Sequence, residues 1–170
     1  TPAAEPVRIV ATGQGYRVAL KSHIGLVRRV NQDAWLECRL AACERDVPVQ
    51  AHLVVVADGM GGEAEGDKAA SLAVRAVAHE VVERFLTFAV DSTTALLLPE
   101  DPLERNSLIL KRALERANRT IHQYASQEAS RTGMGCTMNA CLLEDDLAVF
   151  GHVGDTRGFR IGSTLDQVTT

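Results

Sequence analysis

Aspartates stand beside glycine or asparagine at the edges of apolar runs in Asn31-Gln32-Asp33, Ala57-Asp58-Gly59-Met60-Gly61-Gly62 and Gly154-Asp155-Thr156-Arg157. Carboxylates fixed at such points are hard oxygen donors, suited to Mg2+ or Mn2+. The glycine after Asp58 lets the backbone turn with little steric penalty, so a main-chain carbonyl can face the same cation. Arg28 precedes Asp33 in the same polar turn, and its planar fork matches a phosphate oxyanion held beside a metal. Two divalent cations about 4 Å apart hold a hydroxide at neutral pH, orient phosphorus for in-line attack and neutralise developing charge. The residues therefore point to phosphate-ester hydrolysis. Each alone is ordinary, because Asp-Gly is a common turn and Arg28 or Arg29 at a surface would pair with an acidic neighbour.

Such residues act only if the fold brings them together. Leu53 to Val56 is a short β-branched run ending in Asp58-Gly59, the pattern of a buried strand that closes in a tight turn. Alternation of Tyr16, Val18 and Leu20 with Arg17, Ala19 and Lys21 predicts a strand over 16–24, followed by strands over 34–40 and about 49–57 linked by Arg45-Asp46-Val47-Pro48. Short links between consecutive strands predict an antiparallel meander, with Asp33 and Asp58 at the same end of the sheet.

After Gly66 the period lengthens to about 3.6. Ala69, Leu72, Ala73, Ala76, Val77, Val81 and Phe85 form one helical stripe, and Leu110, Ala113, Leu114, Ala117, Ile121 and Tyr124 form another within about 103–129. The link 91–102 reads as a loop, with Leu96-Leu97-Leu98 covering the helix pair. Strands return over 136–143, 147–153 and 158–161. Strands, then helices, then strands predict an α+β layered fold.

At 170 residues, 46% hydrophobic and 24% charged, the chain suits one domain or part of one with a sizeable core. A formal charge of -4 with no basic stripe excludes nucleic acid, and no apolar run is long enough to span a bilayer. We expect a monomeric, cytoplasmic protein in which residues 1–14 are a linker or flexible segment and 15–170 the folded domain. Cys38, Cys43, Cys136 and Cys141 lack knuckle spacing and read as reduced thiols. The glycines at 59, 61 and 62 are not a nucleotide loop, since no Gly-Lys-Ser/Thr follows, and Ser71 lies within a helical stripe without a nucleophile elbow. His152, three residues before Asp155, reads as a strand histidine bonded to its neighbours and not as an acid/base.

Four motifs in order carry a resemblance: Gly25-x-x-Arg28-x-x-Asn31-Gln32-Asp33, Val56-Ala57-Asp58-Gly59-Met60-Gly61-Gly62, Gly133-Met134-Gly135-Cys136-Thr137 and Gly151-His152-Val153-Gly154-Asp155-Thr156-Arg157. From about Tyr16 onward the chain resembles the PPM/PP2C metal-dependent serine/threonine protein phosphatases, particularly the bacterial type. The resemblance implies an αββα sandwich of two antiparallel sheets flanked by helices, with a binuclear Mn2+ or Mg2+ centre in a cleft at one end. It implies that Asp58 bridges the metals, Gly59 supplies a carbonyl ligand, Asp33 reaches a metal through water, Arg28 binds the substrate phosphate, and Asp155 serves a weaker third metal. Its substrate would be a phosphorylated protein, with a Ser/Thr kinase or that kinase's targets as partners.

Gln32 stands where some members carry Glu, and Met60 where others carry a histidine proposed as general acid. A water would then protonate the leaving group. The family's Ser-Asp-Gly and Asp-Asn motifs, which supply two more metal aspartates, do not occur before Thr170. The sandwich is expected to be incomplete at its C-terminal end and this piece alone inactive or nearly so. The competing expectations are a regulatory or scaffolding relative that has lost hydrolysis, and a generic metal-binding α+β protein.

Overall fold

Asp33-Ala-Trp-Leu-Glu-Cys-Arg-Leu alternates between large apolar or small residues on one side and mixed polar and aromatic residues on the other, which is the requirement for a strand with two unlike faces. In the computed structural model, which describes residues 8–11, 17–26, 28–44, 47–61, 65–90 and 98–169, this run opens the long strand β3 (Asp33–Glu44). With β1 (Arg8–Ala11), β2 (Arg17–Leu20), β4 (Val47–Met60), β5 (Gly135–Glu144) and β6 (Leu147–Val153), the chain forms an antiparallel sheet of order β3-β4-β5-β6 and a separate β1-β2 hairpin. A last hairpin pairs β7 (Phe159–Ile161) with β8 (Leu165–Gln167).

The meander expected over the first strands holds for β3 and β4 but not for β2. Among the described residues β2 pairs with β1, Val18 lying opposite Val10, and β3 is reached only after the polar turn that contains Arg28. Ile9-Val10 is β-branched, but four residues show no periodicity, so the strand left little trace in sequence. It falls within residues 1–14, the segment read as linker. β3 and β4 run past their expected ends, since Val47 and Pro48 continue the ladder opposite Glu44 and Cys43.

Helix α1 (Gly66–Val90) and helix α2 (Pro102–Ala125) pack on one another and on one face of the four-stranded sheet, α1 over β3 and β4, α2 over β6. Asp101 caps α2, its carboxylate accepting the Glu104 amide at 2.9 Å, and proline occupies the first turn where its missing N–H costs nothing. The core lies between these layers. Leu53, Val55, Val77, Val81 and Leu110 are almost wholly buried there, each contributing about 1.5–3 kcal/mol over an exposed position.

The helical stripes follow the expected spacing, but each includes a buried polar residue, Asn106 on α2 and Glu80 on α1. Glu80 lies within the buried face of α1, 6% exposed, because Arg84 and Arg116 satisfy its two carboxylate oxygens at 3.0 and 2.8 Å. Leu98 is buried, while Leu96, Leu97 and the rest of 91–97 lie outside the described residues.

Candidate metal centre

Period-two alternation decides where the functional side chains go. On β4, Leu53, Val55 and Ala57 face the helices, so Val54, Val56 and Asp58 face the other way. Antiparallel register places Asp33 directly opposite Asp58, and Thr137 of β5 opposite Asp58 on the far side. The expectation that both aspartates lie at one end of the sheet is met more closely than the sequence required: they are cross-strand partners, on adjacent strands of one face.

Asp58 opens onto a cleft of about 540 Å³ whose lining includes Arg28, Gly59, Met60, Thr137 and Asp155, while Asp33 stands beside Asp58 without lining it. Arg29 and Gln32 contribute to the same wall. Burial raises the Asp58 carboxyl above the ordinary range, the neighbouring Asp33 charge raises it further, Arg28 pulls it down and Asp155 pushes it up. The four groups predicted to act together therefore share one electrostatic neighbourhood.

Local structure fixes Asp33, Gly59 and the turn that carries Asp155. The Asp33 amide donates to Asn31 Oδ1 at 3.1 Å, Asn31 Nδ2 to Ser22 Oγ at 2.6 Å, and the Ser22 hydroxyl to Asp33 Oδ2 at 3.3 Å. This loop of bonds sets both the backbone and the carboxylate of Asp33. The Gly59 amide donates to the Gln32 carbonyl at 3.0 Å, extending the pairing beyond β3. A Cβ at Gly59 would lie 2.6 Å from that same carbonyl oxygen and closer still to the Gly66 carbonyl, so no larger residue fits where the two segments meet. Gly154, before Asp155, has φ of 93° and lies against Thr137, where a Cβ would stand 2.6 Å from the threonine Cβ. Glycine there lets the Asp155 turn close onto the cleft.

Two adjacent carboxylates, a glycine carbonyl and an open aqueous cleft are a donor set that fits a hard divalent cation. Among the described residues no three His, Cys, Asp or Glu side chains are grouped closely enough to hold a metal ion alone. The buried Thr137 Oγ1 in the same wall finds no hydrogen-bond partner among the described residues. Thr137 and Ser22 received no role from sequence. For Thr137 the signal existed, because counting register across β4 and β5 from Asp58 leads to it.

His152 stands opposite Asn139 on the same sheet face and does not line the cleft, in keeping with a strand position. Its Nε2 is buried with no partner among the described residues, so the neighbour bonds expected of it are not formed by that atom. Met60 does line the cleft and is 56% exposed. Cys38, Cys136 and Cys141 are free thiols, the latter two pushed up to about 11 by burial, as inert reduced cysteines should be.

Comparison with known proteins closes the gap between geometry and family. The family model described as Protein phosphatase 2C matches residues 21–165. The serine/threonine phosphatase stp of Listeria welshimeri is 36% identical over 118 residues, which is 69% of this chain and 42% of the relative. The crystal structure of the Mycobacterium tuberculosis serine/threonine phosphatase PstP/Ppp superimposes with a TM-score of 0.60 at 28% identity, covering 88% of this chain and 52% of that one. A second structure, the catalytic domain of PstP in complex with two manganese ions, gives 0.57 at 28% identity over 88% and 53% of the two chains. The chain thus spans less than half of the curated relative and about half of each solved domain. Its α+β architecture of antiparallel strands and two helices is that of part of such a domain, and the chain belongs to the protein phosphatase 2C family.

Proposed function

We propose that the protein containing this chain hydrolyses phosphoserine and phosphothreonine esters in proteins at a binuclear Mn2+ or Mg2+ centre. The observation that carries this reading is the direct cross-strand pairing of Asp33 with Asp58, which lines a cleft together with Arg28, Gly59 and Asp155. A bare carboxylate pair in that setting repels itself, which is the electrostatic need that a cation meets. A bound metal pair would supply a nucleophilic hydroxide and neutralise charge on the phosphoryl group.

Asp58, central in the cluster, would hold the metal pair together with the Gly59 carbonyl beside it, and Asp33 on the neighbouring strand would reach a metal through water. Asp155 would hold an additional, weaker cation. Arg28 on the cleft wall binds phosphate oxygens through its planar fork. Met60 has no proton to give, so the leaving oxygen takes its proton from water. Residues 15–170 form the first part of the phosphatase domain.

The test is Mn2+-dependent hydrolysis of a phosphothreonine peptide by this chain and by the chain extended to its natural end, each beside Asp58→Asn. Activity in the extended chain alone, lost on substitution, is the expected result. Absence of activity from both would favour a regulatory or scaffolding role, and robust metal-stimulated turnover by the 170-residue piece would show that the described site is sufficient.

A further inference from the structure

Glu65 begins α1 from an unusual backbone. Its φ is 58°, a left-handed conformation that few residues other than glycine adopt, and its carbonyl accepts the Ala69 amide at 3.0 Å. Contacts to the carboxylate hold the residue in this disfavoured geometry. The Tyr124 hydroxyl donates to one oxygen at 3.0 Å and Arg131 Nε to the other at 3.2 Å. The Arg131 guanidinium lies 4.1 Å from the centroid of the Tyr124 ring and pairs with Glu128 at 2.9 Å, and Lys68 Nζ is 5.7 Å from the same ring. One carboxylate thus ties the start of α1 to the end of α2 and to the 3-10 turn Ala129–Arg131.

Both tethered segments lead to the cleft. Gly66, the next residue, packs on Gly59, and a Cβ at Gly66 would stand 2.9 Å from Gln32 Nε2 and 3.1 Å from the Met60 carbonyl carbon. On the other side the Arg131 carbonyl accepts the Met134 amide at 3.1 Å, β5 starts at the next residue, and Thr137 follows opposite Asp58. A shift of Glu65 therefore displaces the backbone behind Gly59 and the strand beside Asp58 together.

We propose that Glu65, Tyr124 and Arg131 form a positioning clamp that sets the placement of Asp58 and Gly59, and through it the affinity of the site for Mn2+ or Mg2+. The inference rests on the metal-site reading above. None of the three lines the cleft; they act through Gly66 and the first residues of β5. A surface ion pair would ordinarily contribute little, but here the pairing holds a strained residue whose relaxation moves a ligand backbone.

The fold contains its own control. Arg105 Nη2 donates to both oxygens of Glu144 at 2.7 and 2.8 Å, and Asn106 adds a bond at 2.7 Å, tying the start of α2 to the far end of β5. The chemistry is the same, at the opposite end of the sheet from Asp58.

The experiment is Mn2+ titration calorimetry on the chain extended to its natural end, with melting temperature and phosphopeptide kinetics measured alongside. Glu65→Ala and Arg131→Ala are expected to weaken Mn2+ binding about 5- to 10-fold, near the lower limit for outer-sphere partners of metal ligands, and Tyr124→Phe about 2- to 3-fold. Arg131→Lys, which keeps the cation but loses the fork that reaches both Glu65 and Glu128, is expected to fall between wild type and Arg131→Ala. At saturating Mn2+ the peptide KM is unchanged. Arg105→Ala lowers the melting temperature but leaves Mn2+ affinity intact. Unaltered Mn2+ affinity in the Glu65, Tyr124 and Arg131 variants, or an equal loss in Arg105→Ala, overturns the clamp. Wild-type Mn2+ affinity in Asp58→Asn would instead remove the site reading beneath it, so the two failures are distinguishable.

Discussion

The two faces of the four-stranded sheet are built from alternate residues of the same strands, yet they follow opposite rules. Toward the helices, Leu53, Val55, Ala57, Met138, Ala140 and Leu142 are nearly or wholly inaccessible. Toward the other side, Trp35, Val56 and Phe150 remain 36–42% exposed, Glu37 pairs with His52 Nε2 at 2.9 Å, and the row ends in Asp33, Asp58 and Thr137. One face holds the fold by burial. The other combines half-exposed apolar residues with, at its end, carboxylates whose desolvation is costly unless a charge partner is supplied. Stability and chemistry are thus separated by a single residue step along β4, and substitutions on the two sides should fail in different ways.

The sharpest contrast is expected at Asp58. Asp58→Asn should reduce Mn2+ affinity by more than ~100-fold, since removing a ligand exceeds the loss typical of outer-sphere changes, and should abolish phosphatase activity while the chain still folds. Calorimetric Mn2+ titration beside circular dichroism checks both halves. Its counterpart five residues earlier on the opposite face is Leu53→Ala, which should cost about 2–5 kcal/mol in denaturant unfolding. Activity per folded molecule should then stay near wild type, and a large selective loss there would erase the distinction between faces.

Arg28→Ala tests the boundary of the chemical face. Losing one charge-assisted contact to phosphate is expected to lower kcat/KM for a phosphothreonine peptide about 10- to 100-fold with Mn2+ affinity retained. A parallel loss of Mn2+ binding would mean that Arg28 organises the carboxylates and does not hold substrate.

The division between faces also explains which features sequence could carry. That Asp33 and Asp58 lie at one end of the sheet was legible from a short link and period-two alternation; their direct pairing followed from a register that runs on to Glu44 opposite Val47, past the link expected at 45–48. Both helical stripes were legible for the same reason, a period tied to burial. Glu80 was not, because its burial depends on Arg116 from the other helix, 36 residues away. The Glu65 contacts lie beyond local pattern in the same way, at separations of 59 and 66 residues. The Ser22–Asn31–Asp33 bonds needed the path of the intervening turn, which no periodicity encodes. The pairing of β2 was missed because its true partner, β1, is only four residues long.

The smallest expected effect is on pH dependence, and its sign differs between fold and site. Burial, followed by the Asp33 charge, raises the Asp58 carboxyl above its ordinary value of 3.8. In the metal-free folded chain the protonated form is therefore favoured relative to the unfolded chain. The associated stability is fully present below the ordinary value and is lost as pH rises through the higher folded one. Cation binding needs the opposite state, the free carboxylate, so Mn2+ affinity should begin to fall on acidification at a pH where an ordinary aspartate would still be ionised. Melting curves in chelator and Mn2+ titrations over about pH 4 to 7 should slope in opposite directions. Asp58→Asn should flatten the chelator series and melt no lower than wild type near neutral pH, because it removes the charge that the folded metal-free chain accommodates least well. A variant that melts lower at neutral pH in chelator would show that the Asp58 carboxylate stabilises the fold without a cation, and the separation of the two faces would fail at its central residue.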